Sequence, residues 1–240
     1  MYPNEPSRRT FFRFGYGALG LASSLNLLPA NAADGKKTDL TASQALEKLK
    51  KGHQDFLADK PSVKSTRDHG RRLEIARGQV PFAVLVGCSD SRVAPELLFD
   101  TGLGELLIVR NAGNTIDTVA MGSIQYAVQV LGVPLILVLG HERCGAVDAA
   151  VSVVEKNTVF PGSIGQMVEP IIPAVLKARS QGGLKGEALL DLAVRENVRR
   201  TVQRLRTAEP ALSDPIAAGK VRVVGARYDL DDGKVDFFIE

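Results

Sequence analysis

Apolar residues fall along the chain in two rhythms. VPFAVLVG at 80–87 and VPLILVLGH at 133–141 are almost unbroken apolar runs, the pattern of strands covered on both faces of a parallel sheet. ELLIVRNAGN at 105–114 contains another strand. Helical spacing governs the segments between and after them. TASQALEKLKKGHQDFLAD (41–59) predicts a helix capped by Thr41, with Ala45, Leu46, Leu49, Phe56 and Leu57 facing inward. A polar connector with Pro61 and Arg67 to Arg72 follows. DTVAMGSIQYAVQVLG (117–132), CGAVDAAVSVVEKN (144–157), GQMVEPIIPAVLKARS (165–180) and GEALLDLAVRENVRRTVQRLRTAE (186–209) repeat the helical period. VRVVGARYDLDDGKVDFFI (221–239) closes as two strands around an Asp-Gly turn.

Alternation of this kind predicts an α/β fold: a mainly parallel central β-sheet flanked by helices, with an N-terminal helical arm. The arginines from Arg195 to Arg206 read as a solvated helix face, interleaved with Glu187, Asp191 and Glu196. His53 and His69 stand in polar surroundings and read as surface residues.

Residues 1–32 change the picture of where the chain acts. Arg8 and Arg9 precede a short apolar stretch diluted by glycine and serine, and PANAA offers a small-x-small cleavage site near Ala32. The pattern predicts an export signal of twin-arginine type. The remaining residues, 33–240, then form one domain, periplasmic or secreted, without a stable membrane anchor. Most of the formal +3 charge sits in that leader; without it the chain has 27 basic and 26 acidic side chains. So even a balance argues against a nucleic-acid or anionic-membrane partner.

The chain's two cysteines lie in GCSDSRV (87–93) and GHERCGAV (140–147), each where a buried strand gives way to a loop. Ligands bind at that carboxyl edge in open α/β sheets. His141 and Cys144 are spaced i, i+3, and Cys88 completes a Cys2His set suited to tetrahedral zinc with one position left open. Asp90 can reach the fourth position, and Arg92 has the fork to hold that carboxylate. Gly145 is expected to allow close backbone approach. A disulfide is the rival use of two cysteines in an exported protein. Against a redox motif, the cysteines are 56 positions apart with no Cys-x-x-Cys. No Gly-x-Gly-x-x-Gly follows the first buried strand, which excludes dinucleotide binding of that type.

CSDSRV together with HERCGAV resembles the β-class carbonic anhydrases, and the similarity runs from Gln79 to about Ala150. The resemblance implies reversible hydration of carbon dioxide to bicarbonate and a proton by zinc-bound hydroxide. It implies zinc ligands Cys88, His141 and Cys144, and an Asp90–Arg92 dyad controlling the fourth zinc position. It further implies that Gln79 binds substrate, that Tyr126 forms a pocket wall, and that the chain is a homodimer or a multiple of one. The helix at 41–59 would then grip a partner. Glu142 departs from the small hydroxyl residue common after the histidine. Leu107 and Ala112 replace bulkier wall residues, and Leu85 replaces a tryptophan that one subgroup uses in an inhibitory bicarbonate site. Two thiolates neutralise the ion's charge, so activity is expected to rise into the alkaline range. Relatives that hydrolyse carbonyl sulfide or carbon disulfide share the ligand set. A non-catalytic zinc or redox protein is the alternative of another class.

Overall fold

The computed structural model describes residues 37–60 and 68–240; the leader read at residues 1–32 lies outside the described residues. In chain order the elements are α1 (Ala42–Leu57), α2 (His69–Ile75), β1 (Ala83–Gly87), α3 (Pro95–Leu98), β2 (Leu106–Arg110), α4 (Thr118–Gln129), β3 (Leu135–His141), α5 (Gly145–Lys156), α6 (Gly162–Val168), α7 (Ile172–Ser180), α8 (Gly186–Arg206), α9 (Pro210–Ala217), β4 (Arg222–Tyr228) and β5 (Val235–Ile239). Among the described residues, no helix is long and apolar enough to cross a membrane.

The strands form one sheet in the order β2-β1-β3-β4-β5. The first four run parallel, and β5 returns antiparallel beside β4. The continuous apolar runs take the centre: every residue of β1 and β3 is buried. Alternation sorts their side chains to the two faces. Val84, Val86, Ile136 and Val138 meet α4 and α8 on one side, while Ala83, Leu85, Leu135 and Leu137 meet α1 and α3 on the other. Gly140 lets α8 approach closely, because a Cβ there would come within 2.6 Å of Val198 Cγ2. A third apolar cluster, built by α5, α6, α7 and the start of α8, encloses Cys88 and Cys144.

Thr41 caps α1 as expected, its hydroxyl accepting from the Gln44 amide while the Gln44 side chain returns the bond. The inward face is shifted, however. Ala45, Leu46 and Leu49 are buried and Phe56 is partly so, but Leu57 is exposed and His53 takes a core place. His53 is therefore not a surface residue. Its Nδ1–H donates to the Leu98 carbonyl at 3.1 Å and its Nε2 accepts from the Val235 amide at 3.0 Å. Both ring nitrogens are satisfied, which lets a polar ring lie inside. Beyond residue 67 the chain forms the short α2, which Asp68 caps by accepting from the Arg71 amide.

The face of α8 is only partly solvated. Glu196 is buried, with Lys177 Nζ at 3.0 Å and Arg199 Nη1 at 2.7 Å from its carboxylate. Arg204 and Arg206 donate to the Ile116 and Val223 carbonyls. Helix α9 was hidden in a segment with prolines at both ends of its first two turns, one of them Pro215 inside the helix.

Candidate metal centre

β1 and β3 are parallel neighbours, so their carboxyl ends open at the same edge. The chain leaves β1 for β2 on one side and leaves β3 for β4 on the other. That divergence opens a crevice between the two strand ends. Cys88 follows β1, His141 ends β3, and Cys144 is the N-cap of α5. All three are buried, and their sulfur and ring-nitrogen atoms lie within 4.8 Å of one another.

The His141 tautomer is set by its neighbours. Nδ1 lies 2.9 Å from the Glu142 carbonyl, which can only accept, so Nδ1 carries the proton. Nε2 is then a lone-pair donor, fully buried and without a hydrogen-bond partner. Facing it are two sulfurs 3.9 Å apart. Two thiolates bound tetrahedrally at about 2.3 Å from one zinc would be about 3.8 Å apart, so the cluster fits a divalent ion without rearrangement. The sulfurs are far from bonding distance, and both cysteines are free. A hydrogen bond from Cys144 holds the Cys88 thiol well below its ordinary range, against the upward push of burial, and the same bond drives Cys144 up. The Gly113 amide also donates to Cys88 Sγ, at 3.3 Å.

Asp90 and Arg92 sit at the rim. Arg92 Nε donates to Asp90 Oδ1 at 3.0 Å and Nη2 to Oδ2 at 2.8 Å, while the Arg92 amide adds a bond to Oδ1 at 2.9 Å. These bonds hold the Asp90 carboxyl down to about 2. Asp90 Oδ2 stands 3.8 Å from His141 Nε2, beside the cluster of two sulfurs and one imidazole and turned towards the arginine.

Arg110 and Glu142 also shape the rim, and Arg110 carries no sequence signal of its own. Arg110 donates from Nε to the Cys88 carbonyl at 2.8 Å and from Nη2 to the Asp90 carbonyl at 2.5 Å. It ends β2 opposite Gly87 in register, so a pairing of the two strands would have pointed to it. Glu142 anchors the loop between His141 and Cys144: its amide donates to the Tyr228 carbonyl at 2.8 Å and its Oε2 accepts from the Leu230 amide at 3.0 Å. An acidic residue after the histidine thus ties the loop between His141 and Cys144 to the β4–β5 turn. Gly145 is not required by packing, because a Cβ there would meet open space.

Gln79 and Tyr126 are not brought to the sulfurs within one chain. Gln79 is exposed and precedes β1, whereas Cys88 follows it; the five residues of β1 alone span about 17 Å. Tyr126 lies on α4 and packs beside Leu107 against the sheet, lining an open groove along the outer strand β2 with Val109 and Val119. Neither cysteine nor His141 lines that groove.

Known carbonic anhydrases are similar to this chain in sequence and in fold. The family model described as "Carbonic anhydrase" matches residues 83–235. Carbonic anhydrase 2 of Mycobacterium tuberculosis is 44% identical over 191 residues, covering 79% of this chain and 89% of its own. A carbonic anhydrase of Mycolicibacterium smegmatis is 41% identical over 192 residues, covering 80% and 91%. Among solved structures, Coccomyxa β-carbonic anhydrase in complex with acetazolamide superposes with a TM-score of 0.63 at 30% identity, covering 81% of this chain and 85% of its own.

Proposed function

The chain belongs to the β-carbonic anhydrase family, and from that premise we propose that it hydrates carbon dioxide reversibly to bicarbonate at a zinc ion held by Cys88, His141 and Cys144. The observation that carries this reading is the unpartnered, fully buried Nε2 of His141 beside two unjoined sulfurs. A buried lone pair left unsatisfied is costly unless something occupies it. When bound, zinc supplies Lewis-acid activation of a water molecule.

The chain's own residues then divide the remaining work. Asp90, held near pKa 2 by Arg92, stays ionised across the working range and is a poor store for a proton. Its part is orientation: Oδ2 accepts a hydrogen bond from the attacking water and aims its lone pair at the carbon. Arg92 keeps the carboxylate from swinging onto the ligand cluster, through two parallel bonds that lysine could not make. Carbon dioxide is uncharged, and its subsite needs an apolar wall with one donor, the parts assigned to Tyr126 and Gln79.

Gln79 can serve that role only from a second copy of the chain, which supports a homodimer or a multiple of it. The edge strand β2 supports the same reading. Its Leu106, Leu107 and Ile108 are only half covered, and Val119 beside them is exposed. A second copy would bury this apolar edge. Export by a leader at residues 1–32 belongs to this proposal too and places the activity outside the cytoplasm.

Stopped-flow hydration of carbon dioxide by the zinc-analysed chain tests the reading, with carbonyl sulfide and carbon disulfide hydrolysis run in parallel. Fast carbon dioxide turnover at one zinc per chain is expected. Turnover of the sulfur substrates alone would overturn it.

A further inference from the structure

We propose that Asn197, on α8, is a positioning residue for the Cys88 sulfur, acting through Gly113. This rests on the proposed zinc reading, in which Cys88 is a ligand. Asn197 is 3% exposed, and its Nδ2 donates to the Gly113 carbonyl at 2.7 Å. The Gly113 amide donates in turn to Cys88 Sγ at 3.3 Å. A buried side chain 84 positions beyond Gly113 is thus connected, through that one residue, to the Cys88 sulfur.

The backbone explains why that residue needs an external hold. Gly113 and Asn114 are consecutive residues in the left-handed region, with φ of 65° and 46°. Such conformations persist only where the surroundings impose them. Glycine itself imposes nothing, since it adopts either sign of φ readily. A side chain at 113 could not supply the restraint either, because its Cβ would meet Ile171 Cδ1 at 2.6 Å. The Asn197 bond fixes the carbonyl of Gly113, and with φ and ψ settled the amide of the same residue is aimed at the sulfur. A donor on a thiolate withdraws charge that would otherwise go to the metal, and outer partners of this kind set ligand orientation and affinity.

The test uses the full chain loaded with Co²⁺ in place of zinc, comparing Asn197→Leu and Asn197→Asp with Thr201→Val. Leucine and aspartate keep the size of the side chain but remove the donor. Thr201 is buried one turn further along α8 and has no part in the relay. In both Asn197 variants the sulfur-to-cobalt charge-transfer band is expected to move to lower energy, and metal release to a chelator to quicken about tenfold, because losing the sulfur's orientation costs more affinity than its added charge restores. Thr201→Val should do neither. A folded Asn197 variant with an unmoved band and unchanged release overturns the proposal. Amide hydrogen exchange over residues 112–114 of the metal-free chain gives an independent reading: it should quicken in either Asn197 variant, and unchanged exchange contradicts the relay even if the leucine variant folds poorly. Failure of the unsubstituted chain to take up one cobalt would instead sink the zinc reading, leaving the exchange comparison to decide the role of Asn197.

Discussion

Arg92 grips Asp90 by both carboxylate oxygens, Nε on Oδ1 at 3.0 Å and Nη2 on Oδ2 at 2.8 Å. The carboxylate is thereby kept ionised and turned, 3.8 Å from the free nitrogen of His141. Arg92→Ala should keep its zinc and lose about 100-fold in turnover, the scale of a misoriented reactant. Metal analysis beside stopped-flow rates checks this; full turnover in the variant would remove the dyad from the mechanism. Arg92→Lys should recover little, because one ammonium cannot hold both oxygens.

Arg110 gives a second, sharper comparison. Its guanidinium spans the carbonyls of Cys88 and Asp90, fixing the backbone on either side of Ser89. Arg110→Lys preserves charge but not the span, so turnover should fall at least about tenfold. An unimpaired lysine variant would show that charge alone suffices at this position.

His53 makes stability depend on pH. Burial lowers its pKa below the ordinary 6.5, because the charged ring is poorly solvated there, and this outweighs the upward pull of the bond to the Leu98 carbonyl. The folded protein therefore binds fewer protons here than the unfolded chain. This contribution is complete above pH 6.5 and is lost as pH falls from there towards the lowered folded value. Urea unfolding at steps from about pH 8 to about pH 5 should show the decline. His53→Leu should flatten it while costing about 1–3 kcal/mol at the upper end, since the Leu98 carbonyl and Val235 amide lose their partner. An equally steep decline in the variant would clear His53 of the effect.

Gly140 tests the packing that carries α8 across the sheet. A methyl group there meets Val198 Cγ2 at 2.6 Å and Val194 Cγ1 at 3.1 Å. Gly140→Ala should lower unfolding stability by about 1–3 kcal/mol. A urea midpoint unchanged from the parent protein would mean that α8 yields freely.

Much of this architecture was legible in the amino-acid sequence, for physical reasons particular to each element. The runs at 80–87 and 133–141 announced buried parallel strands because each is short, apolar on every side and broken by glycine at its end. The convergence of Cys88, His141 and Cys144 was legible because loops leaving neighbouring parallel strands meet at one edge of the sheet. His53 was not, since its burial depends on a carbonyl 45 positions away and an amide 182 positions away. Glu196 and Arg110 were hidden likewise by partners supplied through tertiary packing. Leu57, apolar and in helical phase, was expected inside but falls at the last residue of α1, where the helix runs out into solvent. Gln79 was drawn from a family resemblance, and a single chain leaves it at the far end of β1 from the cysteines.

X-ray absorption at the zinc edge of the purified chain asks most directly whether this cluster holds a metal. One zinc per chain is expected, with two sulfur neighbours at about 2.3 Å and the remaining nitrogen or oxygen neighbours at about 2.0–2.2 Å. A chain that carries no zinc, or zinc with no sulfur neighbour, would contradict the assignment of Cys88, His141 and Cys144.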